Sequence, residues 1–323
     1  MPLLNVQNLS VRFELGRQSF HAVDHASFTL EEGRTLALVG ESGCGKTSIG
    51  LALLRLVPPG ATIQADSIAV RGRELTRLTE REICAIRGKD LAMVFQDPLT
   101  ALNPVYTVGE QIAEGLRLHE KLKRREAWTR AVEAMREVGI PDPAQRAREY
   151  PHQLSGGLRQ RVTIAQAIAC RPALLIADEP TTALDVSLQA QIIDLLLQLQ
   201  ADRRLSILLI THDLGVVAEM AHDVAVMYAG QIVEYADVKS LFARPLHPYT
   251  RGLMRSAPGL AENGERRLYS LEGTVPDLAR LPAGCRFAPR CPHAVDRCQA
   301  PQALREVEPS RLARCCRALE TLS

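Results

Sequence analysis

With 323 residues the chain can form one large domain with an appendage, or two modest domains. Hydrophobic (46%) and charged (24%) contents are those of a globular protein, while 39 basic against 37 acidic side chains and 4% aromatics weigh against a nucleic-acid partner. No apolar run reaches bilayer-spanning length and no signal-type apolar stretch opens the chain, so a cytoplasmic location and reduced cysteines are expected.

Residues 3–13 alternate apolar and polar, as in a half-buried strand, and residues 14–19, with Gly16, read as a turn. Residues 20–30 resume the strand pattern, which predicts an antiparallel opening. The apolar run Thr35–Val39 reads as a buried strand and leads into Gly40-Glu41-Ser42-Gly43-Cys44-Gly45-Lys46-Thr47. A helix-forming stretch, residues 48–56, follows. Strand, glycine loop and helix are the setting in which G-x-x-x-x-G-K-[ST] binds phosphate. Glycines let backbone N–H groups curl round a polyphosphate, and the helix N-terminus adds partial positive charge. Lys46 is placed to reach β- and γ-phosphates and the Thr47 hydroxyl to ligate Mg²⁺. Cys44 reads as steric filler in this loop, not as a nucleophile.

Pro58-Pro59-Gly60 breaks the chain, and a β-like piece (63–70), a charged helix (79–87) and a buried strand (91–95) follow. Gln96 ends that strand. From 108 to 148 strand signals vanish, and helical spacing at 110–118 and 124–138, with Ala131, Met135 and Val138 on one face, predicts an inserted helical subdomain spanning about 97–172. Its basic run Lys121-Leu122-Lys123-Arg124-Arg125 reads as a solvated face. Leu154-Ser155-Gly156-Gly157 opens a helix at 158–170, and Ala173-Leu174-Leu175-Ile176-Ala177 is a buried strand ending in Asp178-Glu179. A helix at 186–200, a strand at 205–210 ending in Thr211-His212-Asp213, and a hairpin at 224–234 complete an α/β pattern with a mainly parallel sheet. Beyond Tyr235 the composition shifts. Pro245, Pro248, Pro258, Pro276, Pro282, Pro289 and Pro292 crowd a region that holds five of the eight cysteines, which predicts a separate C-terminal appendage.

Gly40, Gln96, Asp178-Glu179 and His212 each lie just past an apolar strand, where ligands bind in open α/β sheets. Over residues 1–255 the chain resembles the nucleotide-binding subunits of ATP-binding cassette (ABC) transporters. The matching pieces are the Walker A loop 40–47, the Q-loop Gln96, the signature Leu154-Ser155-Gly156-Gly157-Leu158-Arg159-Gln160-Arg161, Walker B Leu174–Asp178 with Glu179, the D-loop Ala183-Leu184-Asp185 and the switch His212. Residues 95–104, His247-Pro248-Tyr249-Thr250-Arg251-Gly252-Leu253 and the segment 284–292 resemble the dipeptide/oligopeptide/nickel branch of importers, the D-type ATPase of dipeptide importers in particular.

The resemblance implies an α/β P-loop NTPase core with an antiparallel β subdomain, a helical insert and a Cys-rich C-terminal domain at 256–323. It implies that ATP is held by Gly40, Ser42, Gly43, Cys44, Gly45, Lys46, Thr47 and Ser48, with Phe13, or Phe20 in its stead, stacked on adenine. Thr47 and Gln96 would meet Mg²⁺, and Asp178 would hold the metal through water. Glu179 would be the general base and His212 would hold the γ-phosphate. Such roles suit phosphoryl transfer, which needs charge neutralisation and an oriented water. Ser155, Gly156 and Gly157 would bind the γ-phosphate held on a partner's loop. Leu158 stands where Gln is usual, a departure that favours a heterodimer with a second, unlike ATPase subunit.

Two permease subunits, an extracytoplasmic substrate-binding protein and a place on the cytoplasmic face of the bacterial inner membrane are further implied. Peptide is the implied cargo, with nickel chelates and antimicrobial peptides as alternatives. A soluble ABC ATPase acting on ribosomes or DNA would need a second cassette or a long coiled-coil insert, and neither is visible. A metal-cluster redox protein would not need so complete an ATPase set. Cys285, Cys291, Cys298 and Cys315 form a candidate metal site, with Cys316 and His293 as spare ligands. Their spacing matches neither zinc pairs nor ferredoxin runs. Resemblance to peptide-importer subunits implies a [4Fe–4S] cluster, with zinc as the alternative.

Overall fold

The computed structural model describes residues 2–16, 18–182, 184–256 and 271–320. Ala183 of the D-loop and Pro258 lie outside the described residues, as does the stretch next to the expected domain limit at 256. In chain order the elements are β1 (Leu4–Leu15), β2 (Gln18–Leu30), β3 (Thr35–Val39), α1 (Lys46–Leu53), β4 (Ala61–Gln64), β5 (Ser67–Val70), β6 (Arg73–Glu74), α2 (Glu80–Ile86) and β7 (Leu91–Val94). Next come α3 (Pro98–Ala101), α4 (Val108–Glu120), α5 (Arg124–Glu137), α6 (Pro143–Arg146), α7 (Gly156–Ile168), β8 (Leu174–Asp178), α8 (Val186–Arg203) and β9 (Ser206–Thr211). The remainder are α9 (Leu214–Met220), β10 (Asp223–Tyr228), β11 (Gln231–Asp237), α10 (Val238–Ala243), α11 (Pro248–Arg255), β12 (Arg305–Glu308) and β13 (Arg311–Ala313). They divide into two compact units.

Unit 1 comprises Met1–Glu31, Thr35–Thr76 and Ile210–Ser323. Its first sheet has the order β2-β1-β5-β6, with β4 also paired to β1. The β1–β2 turn is tighter than the sequence predicts, because Leu15 pairs with Gln18. The expected single strand at 63–70 is divided in two: β4 pairs with Ser10–Phe13 and β5 with Leu4–Gln7. Between them the Asp66 carboxylate accepts from the Asn8 amide at 2.5 Å, and Asn8 sits at φ 51, so β1 is itself kinked there. The second run of strands in unit 1 is β12-β13-β11-β10-β3, with β10 parallel to β3 and antiparallel to β11. Ala229 (φ 44) and Gly230 (φ 85) turn β10 into β11, the left-handed pair that a tight hairpin requires.

All five residues of β3 are buried, which is why it reads as a continuous apolar run instead of alternating. Its Ala37 and Val39 share a core with Val226, Tyr228, Tyr249 and Phe287, and Cys285 and Cys291 pack against it. The Cys-rich segment thus contributes to the core beneath the phosphate-loop strand.

Unit 2 comprises Glu32–Arg34 and Arg77–Leu209. Its strands have the order β9-β8-β7, with β7 parallel to β8. Thr79 caps α2 in a full capping box with Glu82. Helices α4, α5 and α7 form the helical portion: Ala127, Ala131, Ala134 and Met135 are the buried stripe of α5, while Lys121 and Lys123–Arg125 are exposed. No helix among the described residues is long and apolar enough to cross a membrane.

Candidate nucleotide site

In unit 1 the phosphate loop leaves β3 at Gly40 and enters α1 at Lys46. Two glycines are sterically obligatory. A Cβ on Gly40 would lie 2.2 Å from the Met227 carbonyl oxygen, and one on Gly45 (φ +103) 2.1 Å from that of Ala22. No acidic side chain occupies the first turn of α1, so its N-terminal dipole faces the loop uncompensated by its own helix. Lys46 is 5% exposed, and its Nζ donates to the Gly40 and Glu41 carbonyls at 2.8 and 3.0 Å. Its ammonium is thereby held over the loop's own backbone. Cys44 is buried beneath the loop, and desolvation raises its thiol pKa, so the sulfur stays protonated and fills space. Ser42 and Thr47 are exposed and Ser48 is half-buried.

Phe13 and Phe20 face each other across the β1–β2 register, their rings stacked at 5.6 Å with an interplanar angle of 10°. They form one aromatic surface, so the sequence alternatives for an adenine platform are neighbours. His212 is exposed just past β9, and Asp213 beyond it caps α9 by accepting from the Gly215 and Val216 amides.

In unit 2, Asp178 ends β8 only 2% exposed. Glu179 follows at φ 47, a left-handed conformation costly for a non-glycine residue. That turn brings the Glu179 carboxylate to the Gln96 amide, which donates to it at 2.8 Å, and to the Thr182 hydroxyl at 2.9 Å. Ser155 caps α7 by accepting from the Leu158 amide, and Ser155 and Gly156 are exposed. Gly157 is buried: a Cβ there would lie 3.1 Å from Leu188 of α8, so the small residue lets the two helices approach. The candidate residues are thus shared out, with Phe13, residues 40–48 and His212 in unit 1 and Gln96, Ser155–Gly157, Asp178 and Glu179 in unit 2.

The environment of Glu41 was not foreseen from sequence. Its amide donates to the Tyr249 hydroxyl at 2.9 Å, and its carboxylate is chelated by the Arg290 guanidinium at 2.7 and 3.0 Å. The only sequence signals were the His247-Pro248-Tyr249 motif and the arginines among the cysteines.

The expected cysteine metal site finds no support in the placement of the described side chains. Among the described residues no group of three or more His, Cys, Asp or Glu is disposed to hold a metal ion. The Cys298 and Cys316 sulfurs are 3.7 Å apart. The cause is packing. Cys285 and Cys291 lie against the aromatic core, while Cys315 packs beside Leu246, Ala313 and Ala318 and accepts from the Arg317 amide. Burial raises the thiols of Cys285, Cys291 and Cys316, and that of Cys315 to about 11, and the neighbouring cysteines raise each of them further.

Residues 23–182 match the family model described as ABC transporter. Among solved structures, the fold is similar to a dimeric ATP-binding cassette, MJ0796, in a post-hydrolysis state bound to ADP and Pi (TM-score 0.65, 25% identity, 73% of this chain and 98% of that one). It is also similar to cbiO1 from Clostridium perfringens, part of the ABC transporter complex cbiONQ (TM-score 0.62, 25% identity, 75% and 91%). A P-loop α/β ABC ATPase with an antiparallel β subdomain is the class so defined. Residues 233–298 match a second model, the C-terminal region of oligopeptide/dipeptide transporters. The chain is 49% identical over 316 residues to the dipeptide transport ATP-binding protein DppD of Escherichia coli (98% of this chain, 96% of the relative). It is 52% identical over 298 residues to the oligopeptide transport ATP-binding protein AppD of Bacillus subtilis (92% and 90%). The chain belongs to the ATP-binding subunits of the dipeptide/oligopeptide ABC importer family.

Proposed function

We propose that this chain hydrolyses ATP to drive di- or oligopeptide uptake through separate permease subunits at the cytoplasmic face of the membrane. The observation that carries the reading is the phosphate loop: two positions where no side chain fits, a buried Lys46 held on the loop's own carbonyls, and a helix N-terminus opening directly behind it. In this reading residues 40–48 hold the triphosphate and the Phe13–Phe20 surface receives adenine. Thr47 and Gln96 would hold Mg²⁺, with the buried Asp178 holding it through water, and the metal would supply charge neutralisation. Glu179 takes the proton of the attacking water and His212 steadies the γ-phosphate.

Glu179 suits its role because Gln96 and Thr182 both donate to one of its carboxylate oxygens and so fix the carboxylate in place. The exposed Ser155 and Gly156 serve a partner cassette, which we take to be a second, unlike ATPase subunit on account of Leu158. Residues 1–255 are then the ATPase domain and 256–323 a Cys-rich C-terminal domain. The iron–sulfur or zinc reading rests on resemblance and on the proximity of the thiols. Among the described residues the thiols do not form a group that would hold a metal; iron and zinc content of anaerobically purified chain tests the reading directly.

The test of function is reconstitution with cognate ATPase, permeases and binding protein in proteoliposomes. Peptide uptake that requires Mg-ATP and is lost with Glu179→Gln is the expected result, and ATP turnover indifferent to permease and binding protein would overturn the importer reading.

A further inference from the structure

We propose that Arg290, in the Cys-rich segment, is a positioning residue for the nucleotide site that pins and neutralises Glu41. The inference rests on the reading of residues 40–48 as the triphosphate loop.

Glu41 is the one acidic residue within 40–47 of a loop whose task is to hold an anion. Three different groups fix it. Its amide is bound by Tyr249, its carbonyl by Lys46, and both carboxylate oxygens by Arg290. The two-pronged arginine–carboxylate contact is the geometry in which a charge-assisted pair is strongest. The Arg290 side chain is 6% exposed and that of Glu41 27%, so solvent screens the pair poorly.

Arg290 is itself braced. Its Nε donates to the Glu272 carbonyl at 2.9 Å and one terminal nitrogen to the Leu271 carbonyl at 3.4 Å. Its guanidinium stands over the Tyr228 and Phe287 rings at 5.7 and 6.0 Å. Tyr249 belongs to the same aromatic group, 4.7 Å from Tyr228 between ring centroids. A single rigid patch, built from β10, α11 and the Cys-rich segment, therefore holds the second residue of the phosphate loop. Without Arg290 the loop would present an uncompensated carboxylate near the phosphates and lose one of its three tethers. Arg290 acts through Glu41 and not on a phosphate directly.

The experiment measures Mg-ATP and Mg-ADP affinity of the full-length chain, with thermal melting as a check on folding, for wild type, Arg290→Gln, Glu41→Gln, the double variant and Lys46→Ala. Arg290→Gln should weaken both nucleotides about tenfold, the order expected for loss of one charge-assisted pair. The ATPase kcat of the assembled complex at saturating ATP should change less than about twofold, placing the effect in binding. Adding Glu41→Gln to Arg290→Gln should recover most of the affinity, because the exposed charge is gone.

Wild-type affinity in Arg290→Gln, a double variant no tighter than Arg290→Gln, or loss of folding in Arg290→Gln would each overturn the proposal, the last by assigning Arg290 to stability alone. Lys46→Ala separates the two readings. If it binds nucleotide as wild type does, the loop assignment fails; if it loses binding while the Arg290 and Glu41 variants do not differ, only this inference fails.

Discussion

The side-chain amide of Gln96 donates to the carboxylate of Glu179 at 2.8 Å, joining the second residue past β7 to the first past β8. The strands are parallel neighbours, with Val94 opposite Ala177, so their C-terminal ends deliver both side chains to one place. Glu179 reaches it by adopting φ 47, and backbone strain of this kind persists where surrounding bonds over-determine it.

Replacing Glu179 with Gln should remove the proton acceptor while keeping an oxygen for the Gln96 and Thr182 contacts. ATP turnover is expected to fall by roughly 10²–10⁴-fold, the range for loss of a general base. Mg-ATP binding should stay within a few-fold of wild type, and ATP-dependent association with the partner ATPase should become longer-lived. Phosphate release and size-exclusion chromatography with ATP check this; turnover within tenfold of wild type would remove Glu179 from the role.

Glycines of the phosphate loop should differ sharply in their tolerance of a methyl group. At Gly43 (φ +78) nothing lies within 4 Å of the added carbon, so Gly43→Ala meets only the left-handed penalty, ~1–2 kcal/mol. At Gly45 the same penalty is joined by a collision with the Ala22 carbonyl, which is backbone and cannot rotate away. Gly45→Ala should therefore cost roughly twice as much or more in chemical denaturation. Equal costs at the two positions would show that the loop rearranges freely.

That the phosphate loop, Gln96, Asp178-Glu179 and His212 lie at or just past strand ends was legible in the sequence, because each is a short local pattern after an apolar run, and strand burial is itself local in composition. Arg290 and Glu41 were not, being separated by 249 positions, and no periodicity in either segment encodes their meeting. The cysteine geometry was hidden similarly. Spacing counts thiols, but it does not say which of the adjacent Cys315 and Cys316 meets Cys298; the Cys316 sulfur lies 3.7 Å from that of Cys298, while Cys315 packs beside Leu246 and Ala313. The division of 63–70 into two strands depended on the kink at Asn8 in a different strand.

His247 supplies a prediction about acid stability. It is 1% exposed, and its Nδ1 accepts from the Tyr249 amide at 3.1 Å and so caps α11. Desolvation holds its pKa down from 6.5 to about 3. The unfolded chain takes up this proton near pH 6.5 and the folded chain only near 3, so between those values the unfolded state binds more protons. Stability is then present above about pH 6.5 and is lost as pH falls toward 3, with a limiting slope of about 1.4 kcal/mol per pH unit from this residue. Glu234 acts in the opposite direction: burial raises its pKa although the Leu246 and His247 amides donate to it at 2.7 and 2.8 Å, so its protonation on acidification favours the folded state. His247→Asn keeps an acceptor for the Tyr249 amide and removes the titration. Urea unfolding between pH 7 and 4 should show a shallower acid loss in His247→Asn than in wild type, and identical slopes would assign the loss to other groups.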